Sequence, residues 1–289
     1  MTPLTLLLVL ASAAIHASWN LWAKQIGHTA KSATLMWLLT AISATLYAPI
    51  AIAMLAQGAW HPTALSLGVI AGSGAIHIAY FLLLLAGYRA ADLSVVYPVA
   101  RGTGPLIAVL GAIVILGEHA TALSATGALL IAAGVFILTW RTGLVHDPRL
   151  AAGLRYGLST GLVIAVYTLW DGTAVKHLAL APLVYYWGGE LVRTLLLTPA
   201  ALADRAGVAA LWRDHRARVM GIAVLSPLSY ILILIALKQG TVSHIAPARE
   251  ISILFGATLG GMVLGEPQRR RRLIAAAAFA AGVIALARA

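Results

Sequence analysis

Ten ionisable or strongly polar side chains fall inside long apolar stretches of this 289-residue sequence: His16, Asn20, His77, Arg101, Asp171, Glu190, Arg193, His244, Arg249 and Glu250. Placing such a group in hydrocarbon costs roughly 2.5–3.5 kcal/mol on insertion scales, so each is expected to face a cavity or a partner. Several share a helical face with aromatic residues. His16, Trp19 and Asn20 are spaced i, i+3, i+4, which stacks them on one side of a helix. Tyr167, Trp170 and Asp171 repeat that spacing, and so do His77, Tyr80 and Phe81. Tyr97 and Arg101 are i, i+4, and Ser226, Ser229 and Tyr230 cluster further on.

This pattern fits recognition of a small amphipathic solute. Aromatic faces hold an apolar body, Arg101 or Arg249 can meet a carboxylate, and Asp171 or Glu250 can meet an ammonium. A zwitterionic amino acid suits that combination. The candidate solute-binding set is Trp19, Asn20, His77, Tyr80, Tyr97, Arg101, Tyr167, Trp170, Asp171, Tyr230 and Arg249, with Asp171, Glu250 and Glu190 as candidates for proton coupling. The competing reading puts Trp and Tyr in an interfacial belt and the His residues on backbone carbonyls. Glu190 and Arg193 are i, i+3 and can pair within one helix. Arg249 and Glu250 are adjacent, so they leave a helix about 100° apart; one is expected to face a cavity and the other a neighbouring helix.

Enzymatic readings find no support. The sequence has no HExxH, GxSxG or phosphate-binding glycine loop. Ser73 in Ala71-Gly72-Ser73-Gly74 resembles an intramembrane serine protease loop, but Ala71 stands where that loop has glycine. The His residues lie in different segments without metal-ligand spacing, and Cys is absent. No metal, no cofactor and no nucleic-acid partner are expected.

The elements that position these groups follow from composition. The chain is 61% hydrophobic and only 10% charged, with mean hydropathy +0.91. A soluble domain carries about 25% charged residues, so this chain cannot cover a water-facing surface, and it is too apolar for disorder. An all-α integral membrane protein is the remaining class. The net charge of +11 sits between apolar runs, where topology signals belong. The first run has no Lys or Arg before Lys24, so it reads as a retained helix with Thr2 as N-cap and Pro3 at its first position.

Ten runs long enough to cross about 30 Å of hydrocarbon fit the chain, near 3–23, 33–56, 64–87, 93–115, 121–140, 152–175, 180–202, 218–237, 242–264 and 272–288. Only 141–151 and 203–217 read as substantial loops. Pro98, Pro105 and Pro247 predict bends in spans 4 and 9. Gly153, Gly157 and Gly161, with the pairs Gly68/Gly72 and Gly256/Gly260, predict close helix contacts. Glu118 and Glu266 are expected to fix helix ends, with gating or coupling as the alternative.

The sequence also repeats. Ala100-Arg101 and Leu116-Gly117-Glu118 recur as Ala248-Arg249 and Leu264-Gly265-Glu266. The same offset pairs Leu106 with Leu254, Ala133-Gly134-Val135 with Ala281-Gly282-Val283, and Leu21-Trp22 with Leu169-Trp170. The two halves, 1–144 and 145–289, then hold five spans each. An odd number forces opposite orientations in the membrane. Loops after spans 2 and 4 carry no Lys or Arg, whereas those after spans 7 and 9 carry Arg205, Arg213, Arg216, Arg218 and Arg269 to Arg272. That switch is what inverted repeats require. Loops after odd-numbered spans hold fourteen Lys and Arg residues against three after even-numbered ones, which puts both termini outside the cytoplasm.

The paired Ala-Arg…Leu-Gly-Glu segments, Pro98 and Pro247, and the Ala-Gly-Val ends of spans 5 and 10 resemble the EamA family of the drug/metabolite transporter superfamily. The resemblance covers almost the whole chain. It implies ten transmembrane helices as two inverted five-helix repeats around a central cavity, in the bacterial inner membrane, with spans 5 and 10 peripheral. It also implies a secondary transporter, an exporter of small metabolites and often of amino acids, working by alternating access. Several relatives are drawn with cytoplasmic termini, the reverse of the charge count here. The alternative is a multidrug or lipid-linked carrier exporter of the same fold, which a wide apolar cavity opening laterally toward lipid, with Arg101 and Asp171 paired to each other, would favour.

Overall fold

The computed structural model describes residues 1–26, 31–58, 60–91, 93–119, 121–139, 150–255 and 269–289. Among these residues the regular elements are helices, with no strand. In chain order they are α1 (Pro3–Ile26), α2 (Ser32–Ala56), α3 (Ala64–Ala90), α4 (Leu93–Leu116), α5 (Ala122–Thr139), α6 (Leu150–Lys176), α7 (Pro182–Leu202), α8 (Arg205–Gln239), α9 (Val242–Ala248) and α10 (Arg269–Arg288). Residues 251–255 are helical again. Among the described residues, six stretches are long and apolar enough to cross a membrane: Pro3–Asn20, Ser32–Ala56, Ala64–Ala90, Val95–Leu116, Leu150–Lys176 and Arg205–Gln239. Apolar side chains such as Leu7, Val114, Ile115 and Leu162 are exposed on these stretches, which is consistent with a membrane-embedded protein.

Local signals start the helices where the residue types allow. Thr2 accepts from the Thr5 amide at 3.1 Å, the N-cap bond that satisfies a free first-turn N–H. Thr63 and Ser66 form a capping box at the head of α3. One expected loop is largely helix. Residues 203–217 include the first turns of α8, and the helical path is interrupted only at His215, with φ −134° and ψ 17°. Charges hide the pattern in sequence, but Leu211 is buried against Ile26 and Leu35, so this segment is amphipathic.

Some helix pairs exchange under the sequence offset, although among the described residues the extensive contact of α4 with α6 has no comparable counterpart between α9 and α1. α1 packs on α8 as α6 packs on α3; α2 packs on α8 as α7 packs on α3; α2 pairs with α7 and α5 with α10. Lipid chains are as apolar as leucine, so close contact and hydrogen bonds hold such helices together. The stripe Gly153, Gly157 and Gly161 lies against α4. A Cβ on Gly161 would stand 3.2 Å from the Gly104 amide nitrogen and 3.3 Å from the Ala100 carbonyl oxygen. Of the other two predicted pairs, Gly72 meets the Trp170 ring but Gly68 meets nothing within 4 Å, and Gly256/Gly260 lie outside the described residues.

Prolines are absorbed by neighbours. Helical conformation continues through Pro98 and Pro105, whereas α9 stops one residue after Pro247 and Arg249 and Glu250 form a turn. Pro227 inside α8 has no N–H to offer the Ala223 carbonyl four residues earlier. The Ser43 hydroxyl of α2 donates to that oxygen at 2.8 Å, which keeps a polar group satisfied where no water would reach it.

The Leu-Gly-Glu segment ends α4 and begins another contact. Gly117 takes φ +66°, the left-handed geometry that suits glycine at a helix terminus. Glu118 then turns toward α9, accepting from the Val242 and Ser243 amides at 2.9 Å each. Its expected role in fixing a helix end is met on a different helix from its own. Glu266 lies outside the described residues.

Candidate functional site

The interior holds three arginines and three carboxylates on four segments. Asp171 of α6 is fully buried, and Glu250, Glu190, Arg193 and Arg101 are between 1% and 5% exposed. Arg249 is nearly as enclosed, its side chain 11% exposed.

Asp171 sits in a cage of donors. Ser73 of α3 donates to its Oδ1 at 2.8 Å, Tyr185 of α7 donates to the same oxygen at 2.5 Å, and Tyr230 of α8 donates to Oδ2 at 2.6 Å. His77 Nε2 stands 3.7 Å from Oδ2, and His77 Nδ1 lies 2.9 Å from the Ser73 carbonyl oxygen. A carboxylate with three aligned hydroxyl donors is well compensated for its burial.

The second cluster joins α4 to the turn after α9. Arg101 Nε lies 3.0 Å from Glu250 Oε2, and Arg249 Nε lies 4.0 Å from Glu250 Oε1. Arg249 also donates to the Tyr167 hydroxyl at 2.8 Å. The adjacent pair therefore differs from the expectation that one faces a cavity and the other a neighbouring helix. Arg249 reaches α6 and Glu250 reaches α4, yet their charged ends belong to one cluster, because the long arginine side chain closes the angle between them.

A third pair stays within α7, where Arg193 donates to Glu190 at 2.7 Å. The Arg193 guanidinium also lies 5.1 Å from the centre of the Tyr186 ring.

Aromatic rings connect the three. His77 stacks on Tyr167 with centres 4.6 Å apart, and Tyr80 meets Tyr167 edge-on at 5.6 Å. Tyr230 contacts Tyr167 and also Tyr186, at 6.3 Å and 5.5 Å. The Arg249 guanidinium lies within 6 Å of both the Tyr167 and Tyr230 rings, a cation–π distance. Tyr97 is packed beside this region, one turn before Arg101.

Three sequence candidates lie apart from this centre. Trp170 is 39% exposed; its indole donates to the Val69 carbonyl at 2.9 Å and its ring covers Gly72. Asn20 is exposed and bonds the His16 carbonyl of its own helix at 2.8 Å. Trp19 donates to Ser229 at 3.3 Å and packs on the cluster around Ile222 and Leu38. Residues at i, i+3 and i+4 spread over about 100° of arc, so Tyr167 and Asp171 turn inward while Trp170 turns out. The sequence reading missed Ser73, Tyr185 and Tyr186 as members of the network. Ser73 lies one turn from His77 on the same face, the one signal that pointed to it. A separate surface pocket of about 200 Å³, lined by residues including Trp60, His61 and Leu178, shares no residue with this network.

Comparison with solved structures supports the architecture. Twenty-nine chains match this one. Among them a crystal structure described only as that of a protein aligns over 98% of this chain and 98% of its own, with a TM-score of 0.76 and 17% sequence identity. At that identity the shared property is the fold. No family profile matches the sequence, and no curated protein matches it.

Proposed function

We propose that this chain is a secondary transporter of the EamA type, exporting small amphipathic metabolites, amino acids or relatives first among them, by alternating access across the bacterial inner membrane. The observation that carries the reading is the buried network itself: Arg101 and Arg249 meet Glu250, Arg193 pairs with Glu190, Asp171 is held by three hydroxyls, and tyrosine rings link the three clusters. Burying six charges is expensive, and a scaffold that only filled the membrane would gain nothing from it. In membrane proteins such groups mark solute and proton paths.

The architecture we infer has ten spans as two inverted five-helix repeats, 1–144 and 145–289, with both termini outside the cytoplasm. The exchange of helix pairs under the sequence offset supports it, since α1–α8 corresponds to α6–α3 and α2–α8 to α7–α3. Arg101 and Arg249 are equivalent positions in that offset and both reach Glu250, which supports a solute site at the repeat interface. A wide apolar cavity opening toward lipid, with Arg101 paired to Asp171, would favour a multidrug or lipid-linked carrier exporter. Here Arg101 meets Glu250 and Asp171 meets three hydroxyls, so the two are not paired with each other.

The test is counterflow of labelled amino acids in vesicles containing the purified protein. Arg101→Ala and Asp171→Asn are each expected to lower flux by roughly tenfold or more, the worth of a charge-assisted hydrogen bond. Unchanged flux in both variants would remove the site assignment.

A further inference from the structure

We propose that Arg101 and Arg249 form a single carboxylate clamp and that Glu250 occupies it as a tethered competitor, which a solute bearing a free carboxylate displaces. The inference rests on the transport reading and names the solute's obligatory group.

Glu250 is poorly held. Its two oxygens are buried, one 3.0 Å from Arg101 Nε and the other 4.0 Å from Arg249 Nε, yet neither makes an aligned hydrogen bond. Arg101 Nε and Nη2 are likewise without an aligned acceptor. An arginine and an untethered carboxylate form two parallel bonds at about 2.7–2.9 Å. Glu250 meets the charge requirement and misses the geometry, which is what a carboxylate fixed to the backbone beside its own partner Arg249 would do.

Asp171 is the internal contrast. It is as buried as Glu250, but three hydroxyls donate to it at 2.5–2.8 Å. The same interior therefore satisfies one carboxylate fully and leaves the other with charge contact alone. A buried charge without aligned partners is the costly case, so an incoming carboxylate that can align with both arginines recovers hydrogen bonds that Glu250 leaves unmade. The arginines retain a counter-charge throughout, because one carboxylate replaces another.

The surroundings set the rest of the solute. Tyr167 and Tyr230 flank the Arg249 guanidinium, so the body of a solute whose carboxylate reaches Arg249 would lie among aromatic rings. Glu250 lies in the turn between α9 and the helical residues 251–255 rather than inside a continuous helix.

Phenylacetate is the probe, with phenylethylamine as its counterpart lacking the carboxylate, and binding to the purified full chain is measured by thermophoresis. Glu250→Gln is expected to bind phenylacetate about tenfold more tightly than the parent, with phenylethylamine unchanged. Adding Arg101→Ala to that variant is expected to abolish the gain. Glu250→Asp, which withdraws the carboxylate by one methylene, is expected to show a smaller gain and serves if the amide variant fails to fold. Unimproved phenylacetate binding in both variants, or an equal gain for phenylethylamine, overturns the clamp. The two readings separate cleanly: lost counterflow with an intact phenylacetate response sinks transport alone, and preserved counterflow without that response sinks the clamp alone.

Discussion

The Tyr230 hydroxyl donates to Oδ2 of Asp171 at 2.6 Å, while the Tyr185 and Ser73 hydroxyls share Oδ1. Three helices, α3, α7 and α8, are thus fastened to α6 through one carboxylate. Asparagine at 171 would turn an N–H toward at least one of these donors. Asp171→Asn is expected to cost about 2–4 kcal/mol, and Tyr230→Phe or Tyr185→Phe about 1.5–3 kcal/mol each, the range for hydrogen bonds to charged groups. Thermal unfolding in detergent measures this, and the Tyr185/Tyr230 double variant should fall short of additivity because both act on one group.

Glycine positions separate contact from coincidence. A Cβ at Gly72 would stand 2.6 Å from the Trp170 ring, and Gly161 faces backbone atoms that cannot move aside. Gly72→Ala and Gly161→Ala are expected to destabilise by about 1–3 kcal/mol, the cost of overpacking. Gly68→Ala, with open space around it, should be neutral or slightly stabilising through helix propensity. Equal melting temperatures for all three variants would contradict the packing described above.

Ser43 and Pro227 should be coupled. Ser43→Ala leaves the Ala223 carbonyl without its donor, at a cost of about 1 kcal/mol for an interhelical bond in a membrane protein. Pro227→Ala restores the backbone N–H that normally serves that oxygen. In the Pro227→Ala background the Ser43 penalty is therefore expected to disappear. A penalty of the same size in both backgrounds would show that Ser43 acts by another route.

Acid should loosen one tether at the end of a span, through Asp204, which lies outside the spans. Thr34 donates to Asp204 Oδ2 at 2.6 Å and Lys31 lies 3.6 Å from Oδ1, which links the head of α2 to the start of α8. The Thr34 bond first, and then the Lys31 charge, hold the Asp204 carboxyl below its ordinary range against partial desolvation. A carboxyl depressed in the folded state stabilises above its unfolded pKa of about 3.9 and loses that contribution as pH falls through the folded value. The melting-temperature gap between the parent and Asp204→Asn is expected to be constant from about pH 6 to 8 and to close progressively below about pH 4. Thr34→Val should shrink the gap at neutral pH.

Much of the fold was legible because lipid imposes a simple rule. A backbone in hydrocarbon must bond to itself, so each long apolar run reads directly as helix, and α1 to α4 and α6 begin and end within a few residues of the stretches expected. The Thr2 cap and the Gly153, Gly157 and Gly161 stripe were legible for the same local reason. The start of α8 was not, since its amphipathic turns depend on Leu211 finding Ile26 and Leu35.

Residue types and helical spacing by themselves identified an interior set of charges and tyrosines, because such groups are too costly to leave facing lipid. They could not say which charge meets which. Partners on different helices are chosen by crossing geometry and side-chain reach: Arg101 with Glu250 rather than Asp171, Ser73 and Tyr185 recruited to Asp171, Glu118 sent to the head of α9, and Trp170 turned out onto Gly72. Spacing along one helix fixes direction only to within an arc of about 100°, and the neighbouring helices decide what fills it.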